Sequence, residues 1–166
     1  YLDGRENALE ELSRQISWAN ENVGFYFIKG RNVKAIELIP GILSLLPAFE
    51  KTNEAVYKQK NVRLLAEDAR HYVASTKKRY DLIIADLFHT YKAGVGGLYT
   101  REHFEKAKKI LRPGGIYFQW LPLYQLTPQA LRVVIKTFSQ VFPHVHGWFV
   151  YLNTHTPVLA TKRTLF

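Results

Sequence analysis

The chain contains no cysteine in its 166 residues. That excludes disulfide staples and thiolate metal centres and leads us to expect a reducing, cytoplasmic setting. Long apolar runs are missing too. The longest, Gly41–Phe49, is interrupted by Ser44 and Pro47 and falls far short of the ~20 residues that cross a bilayer. The first residues, YLDGRENALEEL, are acidic and polar, so no signal peptide is expected. There is no repeat of solenoid period and no low-complexity tract. His71, His103, His144, His146 and His155 show no ligand spacing with acids, so no metal is expected.

What is present is an ordinary globular composition, 47% apolar, in a length that suits one domain with a real core. The net charge is +9 and the pI about 9.7. Basic residues gather at Lys77-Lys78-Arg79, at Lys106, Lys108, Lys109 and Arg112, and at Lys162-Arg163. An anionic partner would suit that charge. Solvated loops and the dipole preference of lysine for helix ends explain the same clusters, so nucleic acid is not expected as a partner.

The chain is organised around YDLIIADLFHTYKAGVGGLY, Tyr80–Tyr99. The apolar run Leu82-Ile83-Ile84-Ala85 is too short for a helix and predicts a buried parallel strand. It stops at Asp86. In open α/β sheets ligands bind beyond the carboxyl ends of the strands, so this acid is a site candidate. A loop with Gly94, Gly96 and Gly97 follows.

The remaining pattern alternates. Strands are expected at Val33–Leu38, Val62–Ala66 and Ile116–Leu121. Helices are expected from Pro40 to about Glu50, over Ala69–Thr76, from Arg101 to Leu111 with Thr100 as cap, and from Pro128 with Thr127 as cap. Ile42, Leu45, Leu46 and Phe49 follow helical spacing in the first of these, and Pro113-Gly114-Gly115 closes the third. Two runs, His146–Leu152 and Pro157–Thr161, predict an antiparallel pair. The expected fold is therefore α/β, a doubly wound, mostly parallel sheet with a C-terminal antiparallel hairpin.

Three expected strands end in acids: Glu37, Asp68 after Glu67, and Asp86. Carboxylates are acceptors, while sugar hydroxyls and exocyclic amines are donors. Three acids on one rim would suit a nucleoside. Any one of them alone is equally a turn residue or a helix cap.

The series VKAIELIPGIL, VRLLAEDARHYV, YDLIIADLFHTY and GGLYTREHFEKAKKILRPGGIYFQWLPLYQLTPQALRVVIKTFSQVFPHV closely resembles the spermidine synthase-like family, and most of all its transporter-fused variant. The resemblance covers about Asn32 to Phe149, and Tyr1-Leu2-Asp3-Gly4 is a weaker match. It implies a Rossmann-like fold of the class I methyltransferase type. It also implies aminopropyl transfer from decarboxylated S-adenosylmethionine to an amine such as putrescine, with no metal. Methyl transfer from S-adenosylmethionine and a non-catalytic domain are the alternatives. By resemblance Gly24, Glu37, Leu38, Asp68, Ala69 and Asp86 surround the nucleoside. Glu37 holds the ribose, Asp68 the adenine, and Asp86 is the catalytic acid, with His89 beside it. Tyr99, Gln119 and Trp120 line the substrate pocket. Family members commonly assemble, so a homodimer is a possible partner.

The sequence departs from the family in three ways. The glycine loop expected before Glu37 aligns by spacing with Ser17, Ala19 and Glu21, none of them glycine. Residues 1–22 are therefore read as an arm with a degenerate or incomplete nucleotide loop, and 23–166 as the synthase-type domain. His89 stands where spermidine synthases carry the second acid of D-x-x-D. The positive net charge opposes a cationic amine at long range.

Overall fold

The computed structural model describes residues 32–51, 54–86, 94–152 and 156–162. The chain divides after Ala69 into two compact units, Tyr1–Ala69 and Arg70–Phe166. The expected boundary near residue 22 lies outside the described residues.

In the first unit β1 (Val33–Glu37) runs parallel to β2 (Val62–Ala66), paired from Val33↔Val62 to Glu37↔Ala66. Between them α1 spans Pro40–Leu45 and passes into a 3₁₀ turn, Leu46–Phe49. The α-helix stops short of the expected Glu50 because Pro47 has no N–H to donate back to residue 43. A second turn, Val56–Lys58, is tied back by Lys58, which bridges Glu50 at 2.6 Å, and by the Tyr57 hydroxyl, which donates to Glu50 at 2.9 Å. None of the described residues of this unit is fully buried. Ile42, Leu45 and Phe49, three of the four apolar positions at helical spacing, are exposed at 43%, 57% and 49%.

The second unit holds the core. After α2 (Ala69–Ser75) comes β3 (Tyr80–Ala85), then a 3₁₀ turn over Val95–Tyr99 and α3 (Arg101–Lys109). β4 (Leu111–Gln119) lies parallel to β3. The expected helix stop at Pro113-Gly114-Gly115 is instead part of this strand. The register jumps from Tyr80↔Leu111 to Leu82↔Ile116, so these residues form a bulge. Gly114 has φ +86°, and a Cβ on Gly115 would lie 3.0 Å from the Arg112 carbonyl oxygen and 3.1 Å from that of Tyr80. Only glycine fits such a close approach.

β5 (Leu121–Pro122) follows Trp120, so the expected strand to Leu121 is two strands. α4 (Pro128–Val141) starts with Pro128 at its first position and Thr127 Oγ1 accepting from the Ala130 N–H at 3.1 Å. β6 (His146–Leu152) and β7 (Thr156–Lys162) are antiparallel as expected, and β5 joins them in the order β5-β7-β6.

Helices α3 and α4 bury one stripe each. Phe104, Ala107, Leu111, Tyr117, Phe138, Val141 and Phe142 make the core cluster, with Ala85 and Tyr99 packed against it. Its centre is aromatic: Phe104 meets Phe138 edge-on at 5.0 Å, and Tyr117 stacks on Phe142 at 5.3 Å. Such pairs add to the burial energy of the rings. The core thus reaches the carboxyl ends of the β3–β4 pair through Tyr117 of β4 and the partly buried Ala85 of β3.

Candidate functional site

Each unit carries acids at the carboxyl end of its parallel pair. In the first, the Glu67 N–H donates to the Glu37 carbonyl oxygen at 3.0 Å, holding the ends of β1 and β2 level. Glu37 Oε1 accepts from the Ile39 N–H at 2.9 Å. The acid therefore shapes the turn into α1, one of the two roles expected for it. Leu38 is 64% exposed. Asp68, half-buried, directly precedes Ala69, the first residue of α2. A carboxylate is favourable there because the first N–H groups of a helix lack partners.

In the second unit Asp86 follows the last residue of β3. Ala85 is paired with Gln119 across the sheet, and its carbonyl oxygen accepts from the Trp120 N–H at 2.9 Å. Gln119 is 1% exposed. Its Nε2 donates to the carbonyl oxygens of Ala85 at 3.2 Å and Trp120 at 3.1 Å, and its Oε1 accepts from the Tyr117 hydroxyl at 3.3 Å. Trp120 is buried at 5%.

Asp86 keeps an exposed edge, yet enough protein crowds its carboxyl that desolvation raises its pKa above the ordinary value. Tyr99, at the end of the glycine turn, points a buried hydroxyl that has no hydrogen-bond partner among the described residues. Burial first, and then the negative charge of Asp86, push that phenol up to about 12. Burial also raises Tyr117, which senses Tyr99 in turn. Asp86, Tyr99, Tyr117 and Gln119 are thus gathered around the end of one strand pair. A carboxyl with a raised pKa at a strand end can accept a proton from a bound polar group, while the phenol within its field stays protonated.

The structure brings Glu37, Leu38, Asp68 and Ala69 together in one unit, and Asp86, Tyr99, Gln119 and Trp120 in the other. Gly24, His89 and the degenerate loop positions Ser17, Ala19 and Glu21 lie outside the described residues. Tyr117 was missed from the sequence. Its signal is the period of two along β4, which puts it on the same face as Gln119. A depression of about 300 Å³ lined by Glu105, Lys108, Lys109, Gln140 and Val141 lies at the last turns of α3 and α4, toward the start of β4 rather than at the acid edge. Among the described residues no helix is long and apolar enough to cross a membrane, and no group of three or more His, Asp or Glu could hold a metal ion.

Residues 32–161 match the spermine/spermidine synthase domain. The chain is 22% identical over 127 residues to the polyamine aminopropyltransferase of Thermoplasma acidophilum, spanning 75% of this chain and 45% of that protein. It is 30% identical over 98 residues to polyamine aminopropyltransferase 2 of Pseudomonas aeruginosa, 58% of this chain and 28% of that one. The chain therefore spans less than half the length of these curated relatives. Among solved structures, a spermidine synthase in complex with the transition-state analogue AdoDATO superposes with TM-score 0.72 at 14% identity, over 82% of this chain and 48% of that one. Human methyltransferase-like protein 13 in complex with SAH superposes at 0.62 and 16% identity, over 81% and 61%. These likenesses establish a Rossmann-like α/β fold of the class I methyltransferase type. With its match over residues 32–161, the chain belongs to the spermine/spermidine synthase family.

Proposed function

We propose that the chain serves aminopropyl transfer from decarboxylated S-adenosylmethionine to a small amine of the putrescine type. The observation that supports this most is the place of Asp86, directly after β3 at the carboxyl end of a parallel strand pair, in a chain of the spermine/spermidine synthase family.

In this reading the amine nitrogen attacks the carbon beside the sulfonium. The new C–N bond forms as the C–S bond breaks, and sulfur takes the electron pair to become a neutral thioether. Asp86 orients the ammonium beforehand and takes the proton that nitrogen sheds. Its raised pKa makes it a better base than an ordinary aspartate. Tyr99, its hydroxyl buried, keeps a neutral phenol within the field of that carboxyl. By resemblance alone, Glu37 with Leu38 beside it accepts from ribose hydroxyls, and Asp68 with Ala69 beside it from the adenine amine. His89 and Gly24 remain assigned by resemblance, as do a transporter-fused origin and a homodimer.

Incubating the protein with decarboxylated S-adenosylmethionine and putrescine tests the reading. Methylthioadenosine and spermidine should appear in equal amounts. Methyl transfer from S-adenosylmethionine without aminopropyl transfer would replace it by the methyltransferase reading. Neither product would mean a non-catalytic domain.

A further inference from the structure

Gln119 has a side chain whose polar capacity is spent inward. Both N–H bonds of its amide go to backbone carbonyls, one on Ala85 and one on Trp120, and its oxygen is taken by Tyr117. Ala85 is the residue before Asp86. Its carbonyl oxygen thus receives two donors, the Trp120 N–H at 2.9 Å and Gln119 Nε2 at 3.2 Å. The amide is 1% exposed and Tyr117 is 1% exposed, so water does not compete for these bonds. Tyr117 in turn is fixed by ring contacts to Phe104, Phe138 and Phe142.

The side chain therefore runs from the aromatic core to the last peptide of β3. A glutamine is chemically suited to this: two donors for two carbonyls, one acceptor for a phenol. Leucine would fill the volume and leave the Tyr117 hydroxyl and the Trp120 carbonyl oxygen without these partners, a costly state in a buried place.

We propose that Gln119, anchored by Tyr117, is a positioning residue that fixes the Ala85–Asp86 peptide and so sets where the Asp86 carboxyl lies. This rests on the proposed role of Asp86 in transfer, and it moves Gln119 from the pocket lining to the support behind the acid. Rigid support of a reacting group matters because a misplacement of about 1 Å costs on the order of 10²-fold in rate.

The test reads the carboxyl directly and needs no turnover. The Asp86 carboxyl carbon is followed by NMR against pH in ¹³C-labelled protein, with Asp86→Asn giving the assignment. Tyr99, whose phenol the Asp86 charge raises, is monitored alongside. In wild type Asp86 titrates above the ordinary aspartate range. In Gln119→Leu its midpoint falls toward 3.8, the unperturbed value, and the Trp120 amide exchanges with solvent about tenfold faster. Tyr117→Phe keeps the ring stack, folds as wild type and shifts both readings in the same direction by less. In the transfer assay kcat falls by about 10²-fold in Gln119→Leu, with the amine KM within about twofold.

An unchanged Asp86 midpoint in folded Gln119→Leu overturns the proposal. If Gln119→Leu does not fold, Tyr117→Phe decides by the same midpoint. If neither folds, the pair serves core stability and the proposal is overturned. A wild-type protein that transfers nothing yet shows the shifts would remove the aminopropyl reading and leave the support of Asp86 standing.

Discussion

The Tyr99 phenol lies within the field of the Asp86 carboxylate. Burial and then the Asp86 charge push Tyr99 up to about 12, so at neutral pH the phenol stays a donor beside a carboxyl that desolvation has made more basic. A hydrogen-bond donor and a base thus lie within electrostatic reach near the end of β3.

Asp86→Asn removes the base and keeps the shape. Transfer should fall by at least about 10²-fold, while affinity for methylthioadenosine stays within a few-fold. Stability should move the other way. The folded pKa of Asp86 lies above its unfolded value, so its contribution is fullest at low pH and is lost as pH rises through the folded pKa. The asparagine variant should therefore melt higher than wild type at pH 7, and the gap should close toward pH 3. Thermal melts across pH check this.

Tyr99 and Tyr117 predict the alkaline limb. Both phenols are raised in the folded protein, so their contribution is complete below the ordinary phenol value of 10 and drains as the unfolded chain releases protons that the folded one retains. Between pH 10 and about 12 stability should fall steeply. Tyr99→Phe and Tyr117→Phe should each flatten that slope in urea melts, and Tyr99→Phe should also lower transfer.

Charge is unevenly spread. Residues 70–166 carry 14 Lys and Arg against 4 Asp and Glu, whereas residues 1–69 carry 9 against 10. The unit that holds Asp86 repels a cationic amine at long range. Raising salt from about 20 to about 200 mM shortens the Debye length severalfold, so the amine KM should fall. A rise would mean that the local acids outweigh the surrounding cations.

The aromatic core sets the fold's strength. Phe104 is 0% exposed and touches Tyr117, Phe138 and Phe142. Phe104→Ala should cost about 3–5 kcal/mol. Thr127→Ala, which removes the cap on Ala130, should cost about 1 kcal/mol. Denaturant melts separate the two.

The sequence pattern located what local chemistry decides. β2 at Val62–Ala66 and the start of α4 at Thr127-Pro128 lie where expected, because a short apolar run bounded by polar residues suits a strand and a proline after a threonine cap suits a helix start. Pro113-Gly114-Gly115 misled. These residues break a helix locally, but their place as a bulge in β4 depends on pairing with Tyr80 and Leu82, some 30 residues away. The exposed flank of α1 was also hidden, since spacing shows that Ile42, Leu45 and Phe49 share a face and not what covers it. At the site, strand-end acids were legible from topology alone. Gln119 was not: a polar residue ending a strand reads as pocket lining, and only the register Ala85↔Gln119 reveals whom its amide meets.

In the proposed reaction the Asp86 edge receives the aminopropyl end of decarboxylated S-adenosylmethionine. Decarboxylated S-adenosylmethionine differs from S-adenosylmethionine by one carboxylate, which would lie against the Asp86 charge and be disfavoured there. Titration calorimetry of the wild type and Asp86→Asn with both compounds and methylthioadenosine measures this directly. The account predicts that wild type binds the decarboxylated compound at least about tenfold more tightly than S-adenosylmethionine, one decade being about 1.4 kcal/mol, and that Asp86→Asn narrows the difference. Equal affinities in the wild type, or heat from none of the three, would contradict it.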